Sequence, residues 1–377
     1  MLKKRNVFPF IVILISIFCL QNCKKHSEIF REKSVDSVNR MVLVYIAGNN
    51  NLQYDAINSI NKLEMGLNNA NATLLVFVKT TSAHSYLLKI KHDNTDKIIS
   101  DTIKTYGSRN SSDPDFLKEI INDSRSLSPA KSYGLVLWSH ATSWAPSELK
   151  VNAFGNDNGK EMDIKDLRNA IPSDFAYIMF DACYMGALEV VYELKGKTKY
   201  ILASPSEVLS TSFPYELITP YLFGGQEDLK IIAQKYFEYY QSKSGYNASA
   251  TIALIDTEQL EQLALYTSSL LSSNQIINKN FNISLIQRMD FDASSQIKAY
   301  DFLSFLKENF KPEQYSNITD QLNKVILYSN HTNKFLNNPI NDFCGLSIYL
   351  PIKNDPFITF YSTLNWYSSS GWFNLFQ

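Results

Sequence analysis

Residues 176–194 read AYIMFDACYMGALEVVYEL. The first five form an apolar run of strand length, and 186–194 carry apolar residues at helical spacing. Between the two runs lie Asp181, Ala182 and Cys183, where a strand gives way to a helix. Residues 134–144, GLVLWSHATSW, repeat the first half of that pattern, with an apolar run over 134–138 followed by Ser139 and His140. An apolar run that leads into a helix is the sequence form of a strand buried on both faces of a parallel sheet.

The same form recurs outward from these two segments. Strands are predicted over 41–47, 73–78 and 199–203, with 86–90 and 97–103 as an edge hairpin. Helices are predicted over 51–67, from the Asp113-Pro114 pair through Ile121, and from the Asp163 cap through Leu167. From about residue 225 the chain is helix-rich (226–240, 257–271, 300–310, 318–328), with strands at 250–255 and 345–350. Together these elements predict an α/β fold in which helices cover both faces of a mainly parallel sheet, with right-handed crossovers. A helix-rich C-terminal subdomain, 225–377, is expected to pack on a core of 40–224, since no Gly/Ser/Pro-rich linker separates them.

Composition narrows the class. The chain has 377 residues, 45% apolar and 19% charged, which excludes a disordered or coiled-coil protein. Lys+Arg number 36 against 37 Asp+Glu, so no charge excess points to nucleic acid. Four cysteines exclude a disulfide scaffold, and five histidines leave little for a multi-histidine metal centre.

The N-terminus reads as an export signal. Lys3, Lys4 and Arg5 precede an apolar run over 7–20, shorter than the roughly 20 residues of a membrane span. Its ending, Leu20-Gln21-Asn22-Cys23, resembles a bacterial lipoprotein signal, with Asn22 where a small residue is usual. The expectation is a lipoprotein signal peptide over 1–22, a lipid on Cys23 and a polar tether over 23–39. The protein would then stand in the bacterial cell envelope, periplasm-facing or surface-exposed. A plain signal peptide or an uncleaved anchor is the competing reading.

Chemistry concentrates after the third and fourth core strands. Ligands of an open parallel sheet gather at the carboxyl ends of its strands. If these two strands are neighbours, His140 and Cys183 emerge on one edge. A thiol at a strand-to-helix turn titrates low and becomes nucleophilic, and an imidazole beside it can move the proton. The backbone N–H of Cys183 or of Ala141 could stabilise an oxyanion. The implied reaction is acyl transfer, in an exported protein peptide hydrolysis first. Against this stands the plain alternative, a buried structural thiol and a satisfied histidine.

GLVLWSHATSW and FDACYMGALEVVYEL resemble the His and Cys motifs of the clostripain-like cysteine peptidases, of the caspase–gingipain clan. VYIAGNNNL, YILASPSEVL, GLSIYLP and GWFNLF are similar as well, so the resemblance runs from about residue 40 to the C-terminus. It implies a caspase-like three-layer α/β/α sandwich, a Cys183–His140 dyad and cleavage after Arg or Lys. Asp181 resembles the acid on the floor of a pocket for a basic substrate residue, the alternative being a strand-end acid that caps the next helix. Two departures stand out. The family's Asp-His-Gly, with another Gly before the Trp, is here Ser139-His140-Ala141 and Thr142-Ser143-Trp144. The loop after Ala203 lacks the family's glycines and offers one acid, Glu207, which weakens the expected preference for a base.

The expected protein is therefore an exported cysteine endopeptidase, monomeric, lipid-anchored, acting on peptides or proteins and needing no cofactor. Asp157, Glu161 and Asp163 could hold calcium, but their spacing matches no strong motif. Some relatives cleave themselves after the His motif, which makes Lys150 and Lys160 candidate points. A catalytically silent peptide-binding lipoprotein of the same fold is the competing function, motivated by the altered glycines. A thiol oxidoreductase ranks last, for want of a C-x-x-C pair.

Overall fold

A computed structural model describes residues 38–68, 73–145, 153–273, 283–291, 298–351 and 354–375. The signal segment 1–22, Cys23, nearly all of the tether and Lys150 lie outside them.

Strand β1 (Val38–Ala47) starts within the expected tether, three residues earlier than the apolar run suggests. Helix α1 (Gln53–Gly66) and β2 (Thr73–Lys79) follow, then β3 (Ser85–Lys89) and β4 (Asp101–Tyr106). The expected strand at 97–103 is displaced because Glu64, buried on α1, accepts the N–H groups of Ile99 and Ser100 at 3.0 and 2.8 Å. Helix α2 (Pro114–Leu127) is capped by Asp113, as the Asp-Pro pair predicts, and leads into β5 (Ala130–Trp138). An unanticipated hairpin of β6 (Phe154–Asp157) and β7 (Lys160–Met162) precedes α3 (Ile164–Ala170), which Asp163 caps. Then come β8 (Phe175–Asp181), α4 (Leu188–Leu194), β9 (Thr198–Ala203) and a short α5 (Tyr215–Ile218).

The rest contributes α6 (Gln226–Gln241), β10 (Thr251–Asp256), α7 (Leu260–Ser272), β11 (Ala299–Asp301), α8 (Phe302–Asn309), α9 (Pro312–Val325) and β12 (Ile326–His331). The two-residue strands β13 (Lys334–Phe335) and β14 (Asn338–Pro339), then β15 (Ser347–Tyr349), α10 (Ile358–Tyr361) and α11 (Asn365–Ser369), complete it. Three expectations change here. The helix expected over 318–328 ends at Val325, because Ile326, Tyr328 and their neighbours pair antiparallel with β10. The helix expected over 300–310 begins at Phe302, with Asp301 as its cap at the end of β11. The late strand β15 is shorter than the expected 345–350 and pairs with β11 outside the main sheet.

The main sheet has nine strands in the order β12-β10-β9-β8-β5-β1-β2-β3-β4. Its five central strands, β9 to β2 in that order, are parallel, and antiparallel pairs flank them on both sides. Alternate residues of β1 feed two separate cores. Met41, Leu43 and Tyr45 pack with α2, α3 and α4, whereas Val42, Val44 and Ile46 pack with α1 and α6. That alternation is the three-layer sandwich, with the period-two register deciding which helix layer each side chain meets. Strands β10 and β12 come from beyond residue 225 and extend the same sheet.

Candidate active site

Strand order turns around β1: the chain goes to β2 on one side and returns to β5 on the other. A crevice at the carboxyl ends of the strands is expected at such a switch point. Ile46 is registered with Trp138, and Trp138 with Asp181, so β1, β5 and β8 end level with one another. Their outgoing segments supply Asn51, His140 and Cys183.

A pocket of about 240 Å³ opens there. Its wall includes Leu52, Trp138, His140, Asp181, Cys183 and Glu207. Four of the residues singled out by sequence thus share one cavity. Ala141 is not part of the wall; it is buried in the core cluster that contains Trp144. It faces Phe154 in an isolated antiparallel bridge, closed by Gly155 N–H to His140 O at 3.0 Å and Thr142 N–H to Ala153 O at 3.4 Å. In that type of pair the facing residues use none of their own N–H groups, so the bridge does not consume the N–H of Ala141.

The turn after β8 is tightly built. Tyr184, next to Cys183, has φ of 61°, in the left-handed region that bulky residues avoid. Its N–H donates to Ser206 O at 2.7 Å, and the Gly186 N–H donates to Ser204 O at 2.8 Å. A Cβ on Gly186 would lie 2.7 Å from the Pro205 nitrogen, so only glycine lets the turn lie this close to the 204–206 loop. Helix α4 begins at Leu188 rather than at 186, five residues beyond Cys183. The nearby dipole expected to favour a thiolate is therefore displaced, since that effect fades within a turn. A backbone donor stands in its place: Val208 N–H lies 3.3 Å from Cys183 Sγ. Cys344, the other free cysteine among the described residues, has no such role, and burial pushes its thiol well up.

His140 Nε2 lies 2.6 Å from Asn51 Oδ1. Burial lowers the pKa of the ring, favouring the neutral form. Asn51 escaped the sequence reading. The clue was the run Gly48-Asn49-Asn50-Asn51 directly after a core strand. Asn49 and Asn50 fix this loop: Asn50 Nδ2 donates to Asn156 O at 2.7 Å, and Asn49 bonds Asp157. Asp157 also takes the buried Lys79 ammonium at 2.8 Å and the Ser111 N–H at 2.6 Å.

The three acids weighed for calcium each make contacts within the chain. Asp157 is held in this ion pair, Glu161 bonds Asn156 and Asp163 caps α3. No group of three metal-ligating side chains occurs among the described residues. Lys160, one candidate cleavage point, is exposed and paired with Asp157 across the β6–β7 hairpin.

Asp181 is buried under the pocket, and burial pushes its carboxyl up to about 6. Its Oδ2 accepts from the Ser212 hydroxyl, from Tyr215 Oη at 2.8 Å and from Phe213 N–H at 3.3 Å. Ser212 in turn accepts from Trp138 Nε1 at 2.9 Å. Asp181 does not cap α4, the other reading of this residue: the α4 cap is Ala187. Glu207 Oε1 accepts from the Tyr184 hydroxyl and from Phe291 N–H at 2.7 Å. Ser212, on the loop, and Tyr215, the first residue of α5, carry no sequence signal of their own.

Comparison with known proteins gives the following. The family model described as Clostripain family matches residues 44–377. No curated protein matches. Among solved structures, an inactive zymogen C11 protease from Parabacteroides distasonis is similar at 30% identity and a TM-score of 0.77, covering 89% of this chain and 99% of that one. A secreted C11 cysteine protease from Bacteroides thetaiotaomicron, solved with an irreversible peptide inhibitor, is similar at 28% identity and a TM-score of 0.77, covering 89% and 99%.

Proposed function

Because this chain belongs to the clostripain family of cysteine peptidases, we propose that it hydrolyses peptide bonds with Cys183 as nucleophile and His140 as general acid and base. The observation that carries this reading is the shared pocket of Cys183, His140 and Asp181 at the carboxyl ends of neighbouring strands. The Val208 N–H supports the thiolate at Cys183. With Asn51 Oδ1 accepting from Nε2, the neutral His140 ring keeps its proton there and offers the Nδ1 lone pair as base. Nδ1 takes the Sγ proton as Sγ adds to the scissile carbonyl, and the imidazolium gives that proton to the leaving amine as the C–N bond breaks. A water deprotonated by the same nitrogen then cleaves the thioester and frees Cys183. The oxyanion would rest on the N–H of Cys183, with that of Ala141 as partner.

Asp181 makes the pocket suited to a basic P1 residue, Arg or Lys, with Glu207 as a second acid in the wall. At neutral pH a carboxyl of pKa about 6 is mostly ionised, and a bound cation ionises it further.

The test uses quenched fluorogenic peptides spanning all P1 residues, with wild type, Cys183→Ala and His140→Ala, before and after limited Lys-specific digestion. Wild type should cleave after Arg or Lys, and both variants should fall to the buffer control. Absence of cleavage at any P1 by wild type in both states would overturn the reading, and tight binding of the peptides without turnover would point to a silent binding protein.

The same proposal places the protein in the bacterial envelope as a monomer anchored through a lipid on Cys23. Its support is the segment Leu20-Gln21-Asn22-Cys23 after a basic and apolar start. No helix among the described residues is long and apolar enough to cross a membrane. Incorporation of an alkyne fatty acid that vanishes in Cys23→Ala is the expected result, and equal labelling of both would exclude the anchor.

A further inference from the structure

The two oxygens of Asp181 are not equivalent. Oδ2 accepts from three donors supplied by one short segment: the Ser212 hydroxyl, the Phe213 N–H and the Tyr215 hydroxyl. A carboxylate oxygen offers about two lone-pair directions, so three donors exhaust it. Among the described residues no donor reaches Oδ1, while Asp181 itself lines the pocket. Glu207, the other acid of the wall, likewise has its Oε1 engaged by Tyr184 and Phe291.

Arginine gains its edge in acidic pockets from a fork of two parallel N–H bonds onto both oxygens of one carboxylate. That fork cannot form on Asp181 while Oδ2 is occupied. Lysine presents a compact ammonium that needs a single oxygen and turns its other protons to hydroxyls or water. The Ser210 position in the same wall offers such a partner.

We propose that the pocket takes lysine in preference to arginine at P1, and that Ser212 and Tyr215 set this choice by saturating Oδ2 of Asp181. The inference rests on the reading that the pocket receives the P1 side chain. Ser212 is a positioning residue here, acting through Asp181. Its φ of 69° means that glycine fits the backbone at this position at least as well as serine.

Peptides identical but for P1 Lys or Arg test it through the ratio of kcat/KM. Wild type should favour Lys by about tenfold, the size expected when one charge-assisted bond of a pair is lost. The double variant Ser212→Gly/Tyr215→Phe leaves Oδ2 only the longer Phe213 bond, and the ratio should fall to about unity, whatever the change in absolute rate. Wild-type cleavage after Arg as fast as after Lys overturns the inference while the basic pocket stands. Cleavage only after uncharged residues removes the basic pocket itself. A Lys preference that persists in the folded double variant removes the role of Ser212 and Tyr215. If that variant does not fold, wild-type inactivation rates with lysyl and arginyl chloromethyl ketones decide the preference, with a faster arginyl reaction counting against it.

Discussion

Asp181 and Glu189 lie eight positions apart, at the two ends of the turn that carries Cys183, and have nearly the same surroundings. Each is buried, and each accepts from a tyrosine hydroxyl and a backbone N–H, Tyr215 and Phe213 for Asp181, Tyr361 and Tyr349 for Glu189, with the Ser212 hydroxyl as a third donor to Asp181. Burial raises both, to about 6 and about 7. They differ in what lies beyond the second oxygen. Asp181 borders a pocket, whereas Glu189 is sealed beneath the C-terminal segment, with its Oε2 buried and unpartnered among the described residues. A perturbed carboxylate alone therefore does not mark a site; the adjoining cavity does. Glu193, one helical turn on, repeats the sealed arrangement, binding the Asn365 N–H and the Arg168 guanidinium. Together the two glutamates of α4 fasten the C-terminal helices beneath the strand end that presents Cys183.

The largest expected effect separates the two acids by function. Asp181→Asn keeps an acceptor for Ser212 and Tyr215 but removes the charge offered to a basic P1 residue. Losing one partner of a buried charge pair costs about 2–5 kcal/mol, so kcat/KM for the Lys peptide should drop by at least about 30-fold. Peptides with an uncharged P1 should change little. Stability should move the other way, rising at pH 7 by about 3 kcal/mol, since a carboxyl raised from 3.8 to about 6 opposes folding when ionised. A variant that loses the Lys peptide and uncharged peptides equally would show that Asp181 supports the fold of the site rather than its selectivity.

Glu189→Gln sharpens the same comparison in the sealed region, where the readout is stability against pH. The folded chain holds the Glu189 proton up to about pH 7, whereas an unfolded glutamate releases it near 4.5. Between those values the folded state binds more protons, so this group's stabilising contribution is complete below 4.5 and is lost as pH rises through 7. The loss amounts to about 3 kcal/mol. Urea titrations from pH 4.5 to 8 should show a decline in wild type that is shallower in Glu189→Gln, with P1 selectivity unchanged. Parallel curves for the two proteins would mean that Glu189 stays charged and compensated.

The contrast also marks how far the sequence could be read. Runs such as MVLVYIA, GLVLW and AYIMF are apolar throughout, because a parallel strand is covered on both faces, and they located β1, β5 and β8 with His140 and Cys183 at their ends. The partners of those residues lay elsewhere in the chain. Asn51, Ser212 and Val208 reach the site on loops and Tyr215 at the start of α5, all placed by tertiary packing, and nothing in STSFPYEL announces three donors aimed at one oxygen. The β12 segment carries a helical pattern because ILY continues the periodicity of α9, and only the edge of β10 turns it into a strand. Ser143, where the resembling motif has glycine, adopts a left-handed backbone with φ of 71°.

That last position yields the smallest effect, and one that compares the segment after His140 with the turn after Cys183. Ser143 lies three residues after His140 and Tyr184 directly after Cys183, and both hold left-handed backbones, φ 71° and 61°. A left-handed backbone costs an L-residue about 1–2 kcal/mol, and glycine gives back about 0.5–1 through its more disordered unfolded state. Ser143→Gly should therefore stabilise by about 0.5–1 kcal/mol, seen as a small rise in the thermal midpoint. Tyr184→Gly relieves the same strain but loses a buried ring and the hydroxyl bond to Glu207, contributions of about 1.5–3 and about 1.5 kcal/mol, so its midpoint should fall. If both glycines stabilise, the Tyr184 contacts contribute little and the bend at the nucleophile is held by the 204–206 loop alone. If both destabilise, the left-handed backbone at Ser143 is relaxed by neighbours rather than strained, and the missing family glycine has no energetic consequence.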